Sequence, residues 1–245
     1  RWFVDLPLDT AVFDASTYSK NQQRLLHHQV AELFFTAIVE LARHHGWVSN
    51  EHFSVDGTLI EAWASMKSFR PKDEPKGPGS GNAWMDFKGE KRSNDTHQST
   101  TDSEAKLLRK SAGKEAKLCF GAHLAMENRH GLCVRFAVKP AVGVSETDAA
   151  LEQLAELKAN GFRPKTVGAD KGYHNQDFIH GARRLGVVPH PALKQGQNPL
   201  RVRLTSTHAV SQLIRKRIEE LIGWCKTTGN FRKSRYRGVE RTNAQ

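Results

Sequence analysis

The stretch Phe53-Ser54-Val55-Asp56-Gly57-Thr58-Leu59-Ile60 places one carboxylate inside a short apolar run. The alternation of Phe53 and Val55 reads as strand, and Thr58 to Ile60 continue it. A carboxylate inside such a strand is costly unless a cation, hydrogen-bond donors or a metal compensates it. The competing reading is local, because Asp-Gly is a common hairpin dipeptide and would turn the chain at Asp56. No partner strand begins two residues later, however. The chain runs on through Leu59 and Ile60 to Ala64 before its composition changes. Asp56 is therefore expected in mid-strand, and the rest of the chain must supply what it faces.

Upstream, Ser19 predicts an N-cap and Asn21 to His45 an amphipathic helix. Leu26, Val30, Leu33, Phe34, Ile38 and Leu41 recur there at three- and four-residue spacing, and Gly46 closes it. The pairs His27-His28 and His44-His45 read as surface or cap residues, since neighbouring helix positions do not face one ligand. Downstream, Ser65 to Lys114 is rich in Lys, Arg, Gly, Pro, Ser and Thr. Its run Pro71 to Gly81 cannot form a packed core, so a disordered basic loop is expected at about 65–114. Lys91 and Arg92 in that loop are candidates to close over a phosphate backbone, with a solvated loop as the equal alternative.

Order resumes at Lys117. Leu118 to Met126 and Leu132 to Val138 read as a hairpin joined at Asn128-Arg129-His130-Gly131. Ser145 caps a helix with Glu146 and Asp148 in its first turn, where acids suit the helix dipole. Thr166-Val167-Gly168-Ala169 is a short strand ending in a second lone acid, Asp170. Lys171-Gly172-Tyr173-His174 is a turn, Asp177 to Leu185 a short helix, and Val187 to Pro189 lead into another strand. The order strand, long loop, hairpin, helix, strand, helix, strand, helix defines an α/β domain with an antiparallel hairpin first and crossover units after it.

The last helix is predicted over about 210–226. On a helical wheel Val210, Ile214, Ile218, Leu221 and Cys225 fall within an arc of about 80°, the core stripe. Arg215, Glu219 and Lys226 lie within about 40° of one another on one flank. An exposed helix with an Arg215–Glu219 ion pair is the ordinary reading of that flank. Trp224 falls opposite it and is expected to pack.

Charge widens the question. Lys and Arg number 37 against 26 Asp and Glu, a net charge of +11 and a pI of about 9.7. That excess favours a polyanionic partner, nucleic acid first and an anionic membrane surface second. No apolar run approaches the ~18 residues of a membrane span. Cys119, Cys133 and Cys225 are far apart with no CxxC, which excludes a disulfide framework or zinc site. Arg1-Trp2-Phe3-Val4 reads as the interior of structured sequence, so further residues are expected upstream. In a basic chain, three carboxylates from distant segments (Asp56, Asp170 and Glu219) suit two-metal phosphoryl chemistry, in which ions about 3.5–4 Å apart take hard oxygen ligands.

Three strings carry a resemblance. They are Val55-Asp56-Gly57-Thr58, then Ala169-Asp170-Lys171-Gly172-Tyr173, then Arg215-x3-Glu219-x6-Lys226 with Gly223-Trp224 inside it. With Phe69-Arg70-Pro71-Lys72-Asp73 and Lys91 to His97, the sequence resembles bacterial insertion-sequence transposases of the DDE type, in the insertion-sequence-four/five-like group. The fuller signature of that group has Tyr three residues before the Arg, where Gln212 stands here.

The resemblance implies a ribonuclease-H-like fold over 49–245, a five-stranded mixed sheet flanked by helices. Asp56 would lie on its central first strand and Asp170 at the end of its fourth, with residues 1–48 an N-terminal helical segment. It implies Asp56, Asp170 and Glu219 as catalytic residues and metal ligands for two Mg²⁺ ions, with Mn²⁺ able to substitute. Arg215 and Lys226 would contact DNA phosphates, with Lys171 and Tyr173 as further DNA contacts beside Lys91 and Arg92. The implied activity is cleavage of double-stranded DNA at the terminal inverted repeats of a mobile element. Transfer of the 3′-hydroxyl into target DNA would follow, performed by a homodimer in the bacterial cytoplasm, associated with the nucleoid. Two alternatives stay open: a ribonuclease-H-like nuclease using the same metals, and an inactive nucleic-acid-binding remnant.

Overall fold

The computed structural model describes residues 7, 9–11, 14–72, 92–109, 113–142, 146–194 and 198–245. Two helices come first, α1 (Ala15–His27) and α2 (Val30–His44). The single helix expected over 21–45 is thus two. The cap is Asp14, whose carboxylate accepts from Thr17 N at 2.8 Å, and not Ser19. No Gly or Pro marks the break. Gln29 itself takes the left-handed conformation at φ 51°, a local cost of about 1–2 kcal/mol that contacts elsewhere must offset. Phe35, Val39 and Ala42 of α2 face the core, while Leu33, Phe34, Ile38 and Leu41 are exposed.

The sheet is built on β1 (His52–Glu61), which is central as expected. On one side it pairs antiparallel with β5 (Ala116–Glu127), placing Asp56 opposite Leu124. On the other it pairs in parallel with β7 (Thr166–Ala169), which pairs in parallel with β8 (Val188–Pro191). The hairpin partner of β5 is β6 (Cys133–Pro140). These five strands have the mixed arrangement expected. A sixth is added by β4 (Lys106–Arg109), which extends the β6 edge along the first residues of β5.

That sixth strand corrects the expectation of a disordered loop over 65–114. Phe69 is buried, and β2 (Phe69–Pro71) pairs antiparallel with β3 (His97–Ser99). The expectation weighed only apolar content, whereas this segment is ordered by polar contacts. Asn94 bonds both N and O of Leu107, at 2.8 and 2.9 Å. The hydroxyls of Ser68 and Ser99 meet at 2.7 Å, and buried Asp102 accepts from Gly238 N at 2.9 Å. The expected loop residues Asp73 to Gly81 lie outside the described residues, as does Ser145.

Three helices follow the strands: α3 (Glu146–Ala159), α4 (Gln176–Arg184) and α5 (Ser206–Ile214). One face of β1, through Phe53 and Val55, packs with Leu154 and Leu157 of α3 and Phe178 of α4. The last predicted helix is also two. A tight turn at Arg215-Lys216, with bonds Ile218 N to Arg215 O and Glu219 N to Lys216 O, separates α5 from α6 (Arg217–Lys226). It resets the helical phase, so the single wheel fails. Ile218 packs fully buried on Leu124 and Met126, whereas Val210 is exposed. Trp224, expected to pack, is 73% exposed. A short α7 (Val239–Asn243) closes the described chain, with Asn243 Oδ1 accepting from Val138 N at 2.7 Å.

Candidate active site

The pairing of β1 with β7 ends at Ser54 and Gly168. Beyond that point β1 continues with a partner on only one side. Open α/β sheets form clefts at such points, outside the carboxyl ends of parallel strands. Asp56 lies two residues past the last pair. Asp170 follows the last residue of β7 and caps the turn Lys171–Tyr173, accepting from Gly172 N at 2.6 Å. The two acids, 114 positions apart in sequence, are thereby neighbours. Asp56 Oδ1 accepts from Gly57 N at 2.8 Å. Its carboxyl is pushed up to about 6, chiefly by burial and further by the charges of Asp170 and Glu146; the Gly57 N–H and the Arg215 guanidinium act against this.

Glu146 is the acid the sequence reading missed. It was assigned to the first turn of α3, where any acid suits the dipole. It does stand there, and its side chain also lies near β1: an ideal Cβ on Gly57 would stand 3.1 Å from its Oε1. Burial first, and then the charge of Asp170, raise its carboxyl above the usual range. Tyr173 completes the group. Its hydroxyl is held well above the ordinary value, by burial first and then by the charges of Glu146, Asp56 and Asp170. A Gly directly after the strand acid was the available signal, since it leaves room for a side chain from another element.

Glu219 is placed differently. It sits in the first turn of α6 with its side chain exposed. Among the described residues, no group of three or more His, Cys, Asp or Glu is arranged to hold a metal ion. The structure thus brings Asp56 and Asp170 near each other, and carries Glu219 exposed on α6.

The expected cations divide as well. Arg215 acts on Asp56, and its buried Nε has no hydrogen-bond partner among the described residues. Lys226 turns to the sheet, donating to Thr58 Oγ1 at 2.5 Å and Leu59 O at 2.9 Å. Lys171 is exposed beside Asp170, and Arg92 is half-buried. Lys91 lies outside the described residues. Tyr173 departs from its expected role along DNA. It is 1% exposed, with its ring edge-on to Phe178, because the turn after Asp170 folds inward. Gln212 Nε2 donates to the carbonyls of His190 and, at 3.2 Å, Ala169, so it ties β8 to the residue before Asp170.

A family model described as "Transposase DDE domain" matches residues 50–245. No curated protein matches the sequence. Among solved structures, a simian T-cell lymphotropic virus intasome in complex with PP2A regulatory subunit B56 gamma aligns at 13% identity. It has a TM-score of 0.38 and covers 74% of this chain and 40% of that one. A pre-cleavage Mos1 transpososome aligns at 8% identity and a TM-score of 0.30, covering 99% and 64%. The Mos1 strand transfer complex aligns at 9% and 0.29, covering 91% and 59%. This chain spans less than two thirds of the length of each of these three.

Proposed function

The chain belongs to the DDE transposase family, whose model spans residues 50–245, and on that premise we propose that it cleaves and joins DNA strands with divalent metal ions. The observation that carries this reading is the placing of Asp170, just past the end of β7, near Asp56, two residues past the last β1–β7 pair, with Asp56 desolvated beside a like charge. Such a pair ionises only at a cost that a cation lowers. Carboxylate oxygens are also the hard donors that Mg²⁺ or Mn²⁺ prefers. The donor set therefore fits a divalent ion, held by Asp56 and Asp170, with Glu219 as the third ligand that the Arg215-x3-Glu219-x6-Lys226 motif supplies. Bound there, such ions activate an attacking water or 3′-hydroxyl and stabilise the leaving oxygen.

The chain's own residues do the rest. Arg215, with its unpartnered Nε beside Asp56, takes a phosphate oxygen next to the scissile bond. Lys226 positions α6 against β1 through Thr58 and Leu59. Lys171, exposed beside Asp170, and Arg92, together with the excess of basic residues, hold the flanking backbone. The substrates are the terminal inverted repeats of a mobile element and a target duplex. The working unit is a homodimer assembled on DNA in the bacterial cytoplasm, at the nucleoid. No helix among the described residues is long and apolar enough to cross a membrane.

One observation favours a second reading. An exposed Glu219, with no group of three metal-ligating side chains arranged to hold an ion among the described residues, is what an inactive DNA-binding remnant would display. One experiment separates the readings: the full chain is incubated with Mg²⁺ and duplexes carrying the sequences that flank its own gene. Cleaved and joined products, lost in Asp56→Asn and Glu219→Gln, are expected. Hydrolysis without joining would leave a nuclease, and salt-sensitive binding without cleavage would leave the remnant.

A further inference from the structure

We propose that the outward face of α2 is the docking surface for a second copy of this chain, whose own α2 lies against it antiparallel across a two-fold axis. An amphipathic helix at the surface of a monomer turns its polar residues away from the core. In α2 they turn elsewhere. Its core side is Phe35, Val39 and Ala42, and its charged residues occupy a flank, engaged with the chain's own body. Glu32 stands 3.9 Å from Arg135. Arg43 donates to Glu40 at 2.7 Å and to the carbonyls of Asn160 and Gly161, at 3.0 and 3.3 Å. The side opposite the core is left to Val30, Leu33, Phe34, Ala37, Ile38 and Leu41, with Leu33 64% and Phe34 67% exposed.

Size, shape and charge each select a second copy as the occupant. The six side chains expose roughly 600 Å² per copy, so a pair would cover about 1,200 Å², where stable interfaces begin. Val30, Phe34 and Ile38 also form one wall of a groove of about 1140 Å³, whose far wall includes Phe136 and Phe231. Partner side chains that reach past α2 find apolar surface there too.

A two-fold contact must be self-complementary. With the axis level with the Phe35–Thr36 peptide, Val30 meets the partner's Leu41, Leu33 the partner's Ile38, and bulky Phe34 the partner's Ala37. Every residue of the stripe finds an apolar opposite, and the largest faces the smallest. Charge sets the direction. α2 has Glu32 in its first turn and Arg43 and His44 in its last. An antiparallel pair brings each acidic end beside a basic one and opposes the two helix dipoles, whereas a parallel pair would set like beside like. The surface serves the homodimer proposed above, but it is tested without DNA or metal, so its failure leaves the cleavage reading standing.

Light scattering on the full chain after size exclusion reads the mass directly. The wild type is expected at twice the chain mass of 27.5 kDa. Leu33→Lys and Ile38→Glu, both at exposed positions, should each be monomeric with an unchanged circular-dichroism spectrum. Mixed in equal amounts they should pair again, because position 33 of one copy faces position 38 of the other. Leu213→Glu, on the exposed surface of α5, should leave the dimer intact. A monomeric wild type overturns the inference, even if DNA later pairs it; a lowered melting temperature in Phe34→Glu would then show that another part of the chain covers α2. A dimer that survives both substitutions places the contact elsewhere and overturns it equally. So does a mixture that restores no dimer, or a mass that climbs with concentration without limit, the mark of an open head-to-tail contact.

Discussion

Lys226 of α6 is fastened to Thr58 of β1, with its ammonium 2.5 Å from Thr58 Oγ1 and 2.9 Å from the Leu59 carbonyl. Thr58 is two residues from Asp56, on the same face of the strand. The last helix of the motif is thus referenced directly to the strand that carries the first acid. Lys226→Met keeps the aliphatic stem and removes both bonds. It is expected to lower stability by about 1–3 kcal/mol in urea unfolding and to reduce DNA cleavage more than that loss explains. An activity unchanged at matched folded fraction would show that the anchor does not serve the site.

Asp56 should make the metal-free protein less stable as the pH rises. Its folded-state value of about 6 lies above the ordinary 3.8, so between those values the native state holds a proton that the unfolded chain has released. Stability then falls as pH rises from about 4 to 6 and stays low above that. The full cost is about 1–3 kcal/mol. Asp56→Asn is therefore expected to raise the melting temperature at pH 7.5 in the presence of a chelator, and to change it little at pH 4. Melting curves at the two pH values decide it.

Glu127 shows the opposite sign. It is fully buried at the end of β5 and accepts from Ser49 Oγ and from the backbone N–H groups of Ser49, Arg129, His130 and Leu132. Burial pushes its carboxyl up, but the hydrogen bonds from Ser49 and the turn outweigh it, and the net direction is down. Its stabilisation is present above the ordinary value of 4.5 and lost as pH falls through the lowered one. Glu127→Gln turns an N–H₂ toward N–H donors and should cost about 3 kcal/mol at pH 7, a gap that narrows in acid. Denaturant midpoints across pH measure this.

Gln212 replaces the Tyr of the wider signature, yet it bridges the carbonyls of Ala169 and His190. Gln212→Ala removes the tie beside Asp170. A stability loss of about 1–2 kcal/mol is expected, with cleavage reduced about 10-fold through displacement of Asp170. A loss of stability with cleavage intact would make the bridge purely structural.

Much of the site was legible in one dimension. Asp56 was expected in mid-strand because no second strand followed the Asp-Gly pair, and it pairs with Leu124 in the middle of β1. Asp170 was expected at a strand end and follows Ala169 there. What stayed hidden were effects with no local marker. Gln29 breaks a helix without Gly or Pro, because packing outweighs a cost of about 1–2 kcal/mol. Asn94, Ser99 and Asp102 order a segment that looks incapable of a core, because their hydrogen bonds are made to residues that composition does not reveal.

By itself the sequence determined the order of the five main strands and the strand positions of two of the acids. Alternation, caps and turn residues act over a few positions, and that range is what a string of residues displays. Only the tertiary structure decided which charges are neighbours. The charge of Glu146 acts on Asp56 because α3 packs on β1 where Gly57 leaves room, and the turn at Arg215-Lys216 rephases α6, which carries Glu219. Electrostatic coupling depends on distance through space and on lost solvent, and both are set by the packing of segments far apart in the chain.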